Sequence, residues 1–172
     1  VRGFDDDNVI HVAGKVDPIS DIEVIQTELC LADLGTVEKS LARWSKVAKA
    51  GQDKDAQRLV EVLKKCHTAL DQALPVRSIA FSKEELTVLR PLCLITAKPA
   101  MFVGNVAEDG FEHNAYLDKL RAYGEQQHAP VVAICAKTEA ELADMEDADR
   151  LLFLHEMGLD EPGLNRLIRA AF

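Results

Sequence analysis

Apolar residues along the first half of the chain recur at spacings of three and four. After the helix-start pair Asp17-Pro18 they fall at Ile22, Ile25, Leu29 and Ala32, then at Leu34, Val37, Leu41, Trp44 and Ala48, with one register shift near Gly35. Asp suits an N-cap and Pro the first helical position, so one long helix from about residue 18 to residue 50 is expected. After the turn Gly51-Gln52-Asp53 a second seam runs through Ala56, Leu59, Leu63, Cys66, Leu70 and Ala73. Two such helices joined by a tight turn lie antiparallel, each covering the other's narrow apolar stripe, as in a coiled coil. Pro75 ends the hairpin, and Ser82-Lys83-Glu84-Glu85 is a capping box that opens a short helix stopping before Pro91.

The period then changes. Ala100-Met101-Phe102-Val103-Gly104 and Val131-Val132-Ala133-Ile134-Cys135 are continuous apolar runs, as expected of strands buried on both faces. Helical spacing separates them (Leu117, Leu120, Tyr123, Gly124), and follows over 138–144 and 147–157, with Pro162-Gly163 opening a last helix through Ala171. Alternating strands and helices predict a parallel α/β sheet with crossovers. Val9-Ile10-His11-Val12 reads as a short extended run. Val1-Arg2-Gly3-Phe4 reads as the end of a buried strand within a longer protein. The expected organisation is α/β: residues 1–13 and 92–172 form part of a parallel-sheet domain, and residues 14–91 a helical insertion.

Charge and cysteine content narrow the function classes. The chain carries 20 basic and 29 acidic side chains, for a net charge of −9. A uniformly acidic surface would exclude nucleic acid as a partner, but the charge is uneven. Between Thr36 and His67 there are eight basic residues (Lys39, Arg43, Lys46, Lys49, Lys54, Arg58, Lys64, Lys65) against four acids. That local +4 leaves about −13 for the rest, so the turn of the hairpin is the basic pole of an acidic chain. It is either a solvated lysine-rich face or an arm for a polyanion, with Lys46, Lys49 and Lys54 as its candidate contacts. Cys30, Cys66, Cys93 and Cys135 form no C-x-x-C pair and stand at no zinc-ligand spacing, which points to reduced thiols of a cytoplasmic protein. No apolar run approaches the ~20 residues of a membrane span. The five histidines are scattered and make no nucleophile–base–acid set. The acidic stretch Glu139–Asp149 does not match a calcium loop and reads as a solvated helix face.

In parallel α/β sheets ligands bind beyond the carboxyl ends of the strands. Two loops leave such ends here: Asn105-Val106-Ala107-Glu108-Asp109-Gly110 and Cys135-Ala136-Lys137. P-loop GTPases keep N-K-x-D and S-A-K at these places. The N-x-x-E variant, the C-A-K loop and the helical hairpin together resemble the YchF/Obg-like ATPases. So do the segments Asp7-Asn8-Val9-Ile10-His11-Val12, Asn105 to Phe111 and Glu161-Pro162-Gly163-Leu164-Asn165.

The resemblance implies a partial G-type P-loop domain with an inserted antiparallel helical coiled-coil hairpin. It implies ATP binding and hydrolysis in preference to GTP, and association with ribosomes. The base would be read by Asn105, Val106, Glu108, Cys135 and Ala136. Asn105 would offer its amide to purine N7 or an exocyclic amine. Val106 would present its backbone to the adenine edge, Ala136 a backbone N–H, and Cys135 would shape the turn. In the GTPase pattern an aspartate accepts from guanine N1–H and the 2-amino group; the longer Glu108 moves that carboxylate away. Taken without relatives, Asn105 also fits a turn-tying residue, Glu108 a solvated loop charge and Cys135 plain core. No G-x-x-x-x-G-K-[ST] occurs in the chain. Phosphate and Mg²⁺ binding are therefore expected of the full-length protein, with no catalytic residue and no metal ligand here, and this piece alone is expected to be inactive. The alternative is a non-catalytic ribosome- or RNA-binding helical-hairpin module.

Overall fold

A computed structural model describes residues 1–6, 14–51 and 53–172. The extended run expected at Val9–Val12 lies outside the described residues. The chain divides into two compact units, one formed by Val1–Ile22 with Ala100–Phe172 and the other by Glu23–Pro99.

In the helical unit, α1 (Pro18–Lys49) and α2 (Lys54–Asp71) are the two arms of the hairpin. The Asp17 carboxylate accepts from Ser20 N–H at 3.4 Å, and the Asp53 carboxylate caps α2 through Asp55 N–H at 2.9 Å and Ala56 N–H at 3.0 Å. Gly51 takes the turn at φ +86, which only glycine adopts freely. Cys30 and Val37 from α1 interlock with Leu59, Val62, Leu63, Cys66 and Leu70 from α2 in one core. The helix α3 (Lys83–Leu89) is closed by the Ser82–Glu85 capping box and packs on α2, which is why Val60 and Val62 are buried beside the α2 seam.

The seam of α1 differs from expectation in its first half. Ile25 is 55% exposed and Ala32 is also exposed, while Cys30 and Asp33 point inward. Asp33, only 2% exposed, explains the offset. Its carboxylate accepts from Ile95 N–H at 2.9 Å and from Thr96 N–H and Thr96 Oγ1–H, both at 2.7 Å. The Thr96 hydroxyl in turn accepts from Val76 N–H at 3.1 Å. Turning the carboxylate inward satisfies backbone N–H groups that burial would otherwise leave without partners, and this sets which face of α1 meets the core.

In the other unit, β1 (Phe102–Asn105) and β2 (Val131–Ile134) pair in parallel, with Phe102 opposite Val131 and Asn105 opposite Ile134. Residues 1–3 run parallel along the other edge of β1: Asn105 N–H donates to Val1 O at 2.8 Å and Gly3 N–H to Asn105 O at 2.7 Å. The crossover from β1 to β2 is α4 (Ala115–Gln126), which buries Leu117, Leu120 and Gly124. A Cβ on Gly124 would stand 2.4 Å from Val131 Cγ2, so glycine is what lets α4 lie this close to the start of β2. Then come α5 (Ala136–Ala143), α6 (Asp147–Glu156) and α7 (Gly163–Ala171). The strands are less buried than their apolar runs suggest. Gly104 and Val132 are buried and their strand neighbours only half-buried.

Candidate functional site

The register of the sheet brings the two expected loops together. Asn105 ends β1, Ile134 opposite it ends β2, and Val106 N–H donates to Ile134 O at 2.8 Å. The chain then opens on one side into Val106–Gly110 and on the other into Cys135–Lys137. Between them lies a cavity of about 530 Å³, whose walls include Asn105, Glu108, Cys135 and Lys137, with Phe4 and Asp5 from the first segment.

Each expected site residue now has a place. Asn105 is half-buried, and its side-chain oxygen accepts from Ala136 N–H at 2.9 Å, tying the two loops together. The amide –NH₂ of the same side chain remains as a donor. The Ala136 N–H expected to face a base is thus given to Asn105. The Val106 N–H is given to Ile134, and the Val106 side chain is 2% exposed, so this residue holds the loop on the sheet. Cys135 is 3% exposed and N-caps α5 through its backbone alone. Glu108 is exposed, and its carboxylate meets Lys137 Nζ at 2.7 Å. That contact, with Glu141 adding to it, raises the Lys137 pKa further above its ordinary value.

Three supporting residues were not singled out from the sequence. Lys137 lies in the C-A-K loop, and only its contact with Glu108 gives it a role. Asn114 caps α4 with its oxygen (Tyr116 N–H 3.0 Å, Leu117 N–H 3.1 Å), while its amide donates to Gly3 O at 2.9 Å and Gly110 O at 3.0 Å. An Asn directly before a helical run was the available signal; its second task depends on a contact 111 residues away. Glu139, taken for part of a solvated acidic face, caps α7 instead: it accepts from Gly163 N–H at 2.7 Å and Leu164 N–H at 3.2 Å. Arg166 of α7 lies over the Phe111 ring at 5.4 Å, so α7 touches residues downstream of both loops.

Electrostatically the cavity is acidic, with Asp5, Asp6, Glu108 and Asp109 on its walls against Lys137. Such walls repel phosphate and suit a neutral ring that carries N–H donors. A larger cavity of about 720 Å³, in the helical unit, is mainly apolar (Leu86, Leu89, Leu94, Pro99) and gathers no comparable set of polar groups. Among the described residues no group of three or more His, Cys, Asp or Glu side chains could hold a metal ion, and no helix is long and apolar enough to cross a membrane.

No family model matches the chain. It is, however, 49% identical over all 172 residues to the ribosome-binding ATPase YchF of Shigella flexneri and 48% identical to that of Haemophilus ducreyi, covering 47% of each. Over its whole length the chain is similar to the YchF proteins. The Bacillus subtilis ribosome-binding ATPase YchF is 45% identical over 175 residues, and 48% of it is covered. The solved structure of the Schizosaccharomyces pombe YchF GTPase superposes with a TM-score of 0.84 at 26% identity, over 99% of this chain and 47% of that one. The chain therefore spans about half the length of the YchF relatives it matches. Its α/β fold, with a small parallel sheet and a helical hairpin, is that of the corresponding part of the yeast protein.

Proposed function

We propose that this chain is the base-recognising part of a YchF nucleoside-triphosphatase that binds and hydrolyses ATP in preference to GTP. In this reading, residues 1–13 and 92–172 are the C-terminal half of the nucleotide-binding domain and 14–91 the insertion. The observation that carries it is the convergence of Asn105, Glu108, Cys135 and Lys137 on one cavity at the carboxyl ends of two parallel strands. With its oxygen engaged by Ala136, Asn105 keeps its –NH₂ as a free donor, which suits purine N7, an acceptor that adenine and guanine share. Val106 and Ala136 act by fixing the loops, and Cys135 by shaping the start of α5.

The relatives are named for different nucleotides, ATPase for the bacterial proteins and GTPase for the yeast one. A titration settles the matter: calorimetry with each nucleotide and Mg²⁺, on a protein of the relatives' full length carrying this chain, should show ATP binding more tightly. Equal or tighter binding of GTP overturns the preference. The phosphate loop and Mg²⁺ ligands belong, in this reading, to the remainder of the protein. Among the described residues no three His, Cys, Asp or Glu side chains gather to hold a metal.

A second reading concerns the partner. The bacterial relatives are named for ribosome binding. Arg58, Lys64 and Lys65 are paired with Asp55, Glu61 and Glu85, whereas Lys46, Lys49 and Lys54 beside the turn are exposed and make no ion pair among the described residues. Unpaired cations at a helical turn are free to meet phosphates, and ribosomal RNA is the polyanion proposed.

A further inference from the structure

We propose that Lys137 sets the purine preference of this site by holding the Glu108 carboxylate in an ion pair. The inference rests on the base-site reading above and adds the residue that makes the discrimination.

Guanine presents two parallel donors on one edge, N1–H and the 2-amino group, which match the two oxygens of a free carboxylate. Adenine presents an acceptor at N1 and no 2-amino group. A free carboxylate in this cavity would therefore attract guanine and repel adenine, and lengthening Asp to Glu does not by itself remove it. A glutamate has one more rotatable bond and can swing back towards a base.

Glu108 is not free. Its Oε1 lies 2.7 Å from Lys137 Nζ, and both residues stand on the wall of the same cavity, one from each loop. The ammonium occupies one carboxylate oxygen, cancels the charge that would face adenine N1, and directs the carboxylate towards α5. Lys137 is also the one cation among the described residues lining a cavity that otherwise carries Asp5, Asp6 and Asp109. Without it, no cation on the described wall of the cavity would face the Glu108 carboxylate.

The pair contributes little to folding. Lys137 and Glu108 side chains are 71% and 46% exposed, and exposed pairs hold little stability. Selectivity and folding are therefore separable, and a change in one without the other identifies the role.

The experiment compares ATP and GTP dissociation constants by calorimetry in a protein of the relatives' full length, as wild type, Lys137→Gln, Glu108→Gln, the double variant and Lys137→Arg. Lys137→Gln is expected to shift the GTP-to-ATP ratio by about fivefold towards GTP. Lys137→Arg, which keeps the cation, should retain the wild-type ratio. With Glu108→Gln already present, Lys137→Gln should have no further effect on it. A ratio unchanged within twofold in Lys137→Gln, or an equal loss for both nucleotides, overturns the proposal while leaving the base site intact; the equal loss would mean that Lys137 merely packs on the ring. If the wild type binds neither nucleotide, the base-site reading falls and takes this inference with it.

Discussion

Asn105 and Ala136, 31 positions apart, are joined by a side-chain-to-backbone hydrogen bond of 2.9 Å that links the ends of β1 and β2. One amide thus does two things: its oxygen holds the second loop, and its –NH₂ is left for the ligand. Asn105→Ala should weaken ATP and GTP binding alike, by about tenfold or more, because it removes a donor to the N7 common to both purines and frees the Ala136 loop. Asn105→Asp keeps the acceptor for Ala136 but sets a carboxylate against N7. It should preserve thermal stability and still lose nucleotide. Side-by-side titrations would decide this, and retention of tight binding in Asn105→Asp would show that the base lies elsewhere.

A second expectation concerns Asp33 and Thr96. Three hydrogen bonds converge on a carboxylate that is 2% exposed. Asp33→Ala leaves two backbone N–H groups and a hydroxyl without their acceptor, at a cost of about 3 kcal/mol. Asp33→Asn keeps one acceptor oxygen and should fall between. Urea unfolding with an unchanged m-value would register the loss as a lower midpoint. A midpoint for Asp33→Ala equal to that of the wild type would mean that water replaces the carboxylate.

The helical hairpin was legible because α2 repeats its apolar residues at the spacing that packing against a helix requires, and because Pro18, Asp53 and Ser82 mark helix starts by local chemistry. The inward face of the first half of α1 was not. Ile25 looks like core and Asp33 like surface until the turn at Ile95–Ala97 is known, and nothing local to either residue signals a partner 62 positions away. The same holds at the site. Strand ends and the N-x-x-E pattern pointed to Asn105 and Glu108, whereas the Glu108–Lys137 contact and the α7 cap of Glu139 are tertiary. Glu139 sits in a run of acids whose other members carry no such duty, so composition concealed it.

The cap of α7 gives a third prediction. A Cβ on Gly163 would stand 2.7 Å from Glu139 Oε1 and 3.0 Å from Ile134 Cγ2. Gly163→Ala should therefore destabilise by about 1–3 kcal/mol through overpacking, and Glu139→Ala by about 1 kcal/mol through the lost cap. The double variant should lose less than the sum, since removing the carboxylate makes room for the methyl group. A double-mutant cycle in urea measures the coupling, and strict additivity would mean that Ile134 alone excludes the methyl.

Thiol reactivity supplies the fourth. Cys93 is exposed, while Cys30, Cys66 and Cys135 are buried. Burial, with Asp33 nearby, pushes the Cys66 pKa up to about 11, and desolvation raises that of Cys30. At pH 8 a disulfide reagent should modify one thiol rapidly in the native protein and four after unfolding. The sign of the pH effect follows from the raised pKa. The unfolded chain ionises Cys66 near its ordinary value of 9, before the native state does, so this contribution is whole below pH 9 and is lost as pH rises towards 11. Rapid reaction of Cys30 or Cys66 in the native protein would show that the core of the hairpin opens.

The last prediction separates a solvated surface from a working one. Lys46, Lys49 and Lys54 stand beside the turn at Gly51, exposed and without ion pairs among the described residues, while the cations farther along α2 are neutralised by Asp55, Glu61 and Glu85. If the turn meets RNA, each lysine on a phosphate releases a counterion, so binding weakens steeply as salt rises. Reversing the three lysines to glutamate in a full-length protein should reduce cosedimentation with ribosomes and flatten its salt dependence. ATP affinity should remain nearly unchanged, because none of the three lines the base cavity. Changes at Leu41, Trp44, Leu59 or Leu63 serve as the contrast: these residues pack in or against the hairpin core, and truncating any of them should lower helicity and the unfolding midpoint together. The charge-reversed protein should instead keep its circular dichroism. If it still pellets with ribosomes as the wild type does, at every salt concentration, these lysines are a solubilising surface and the contact with the ribosome lies elsewhere.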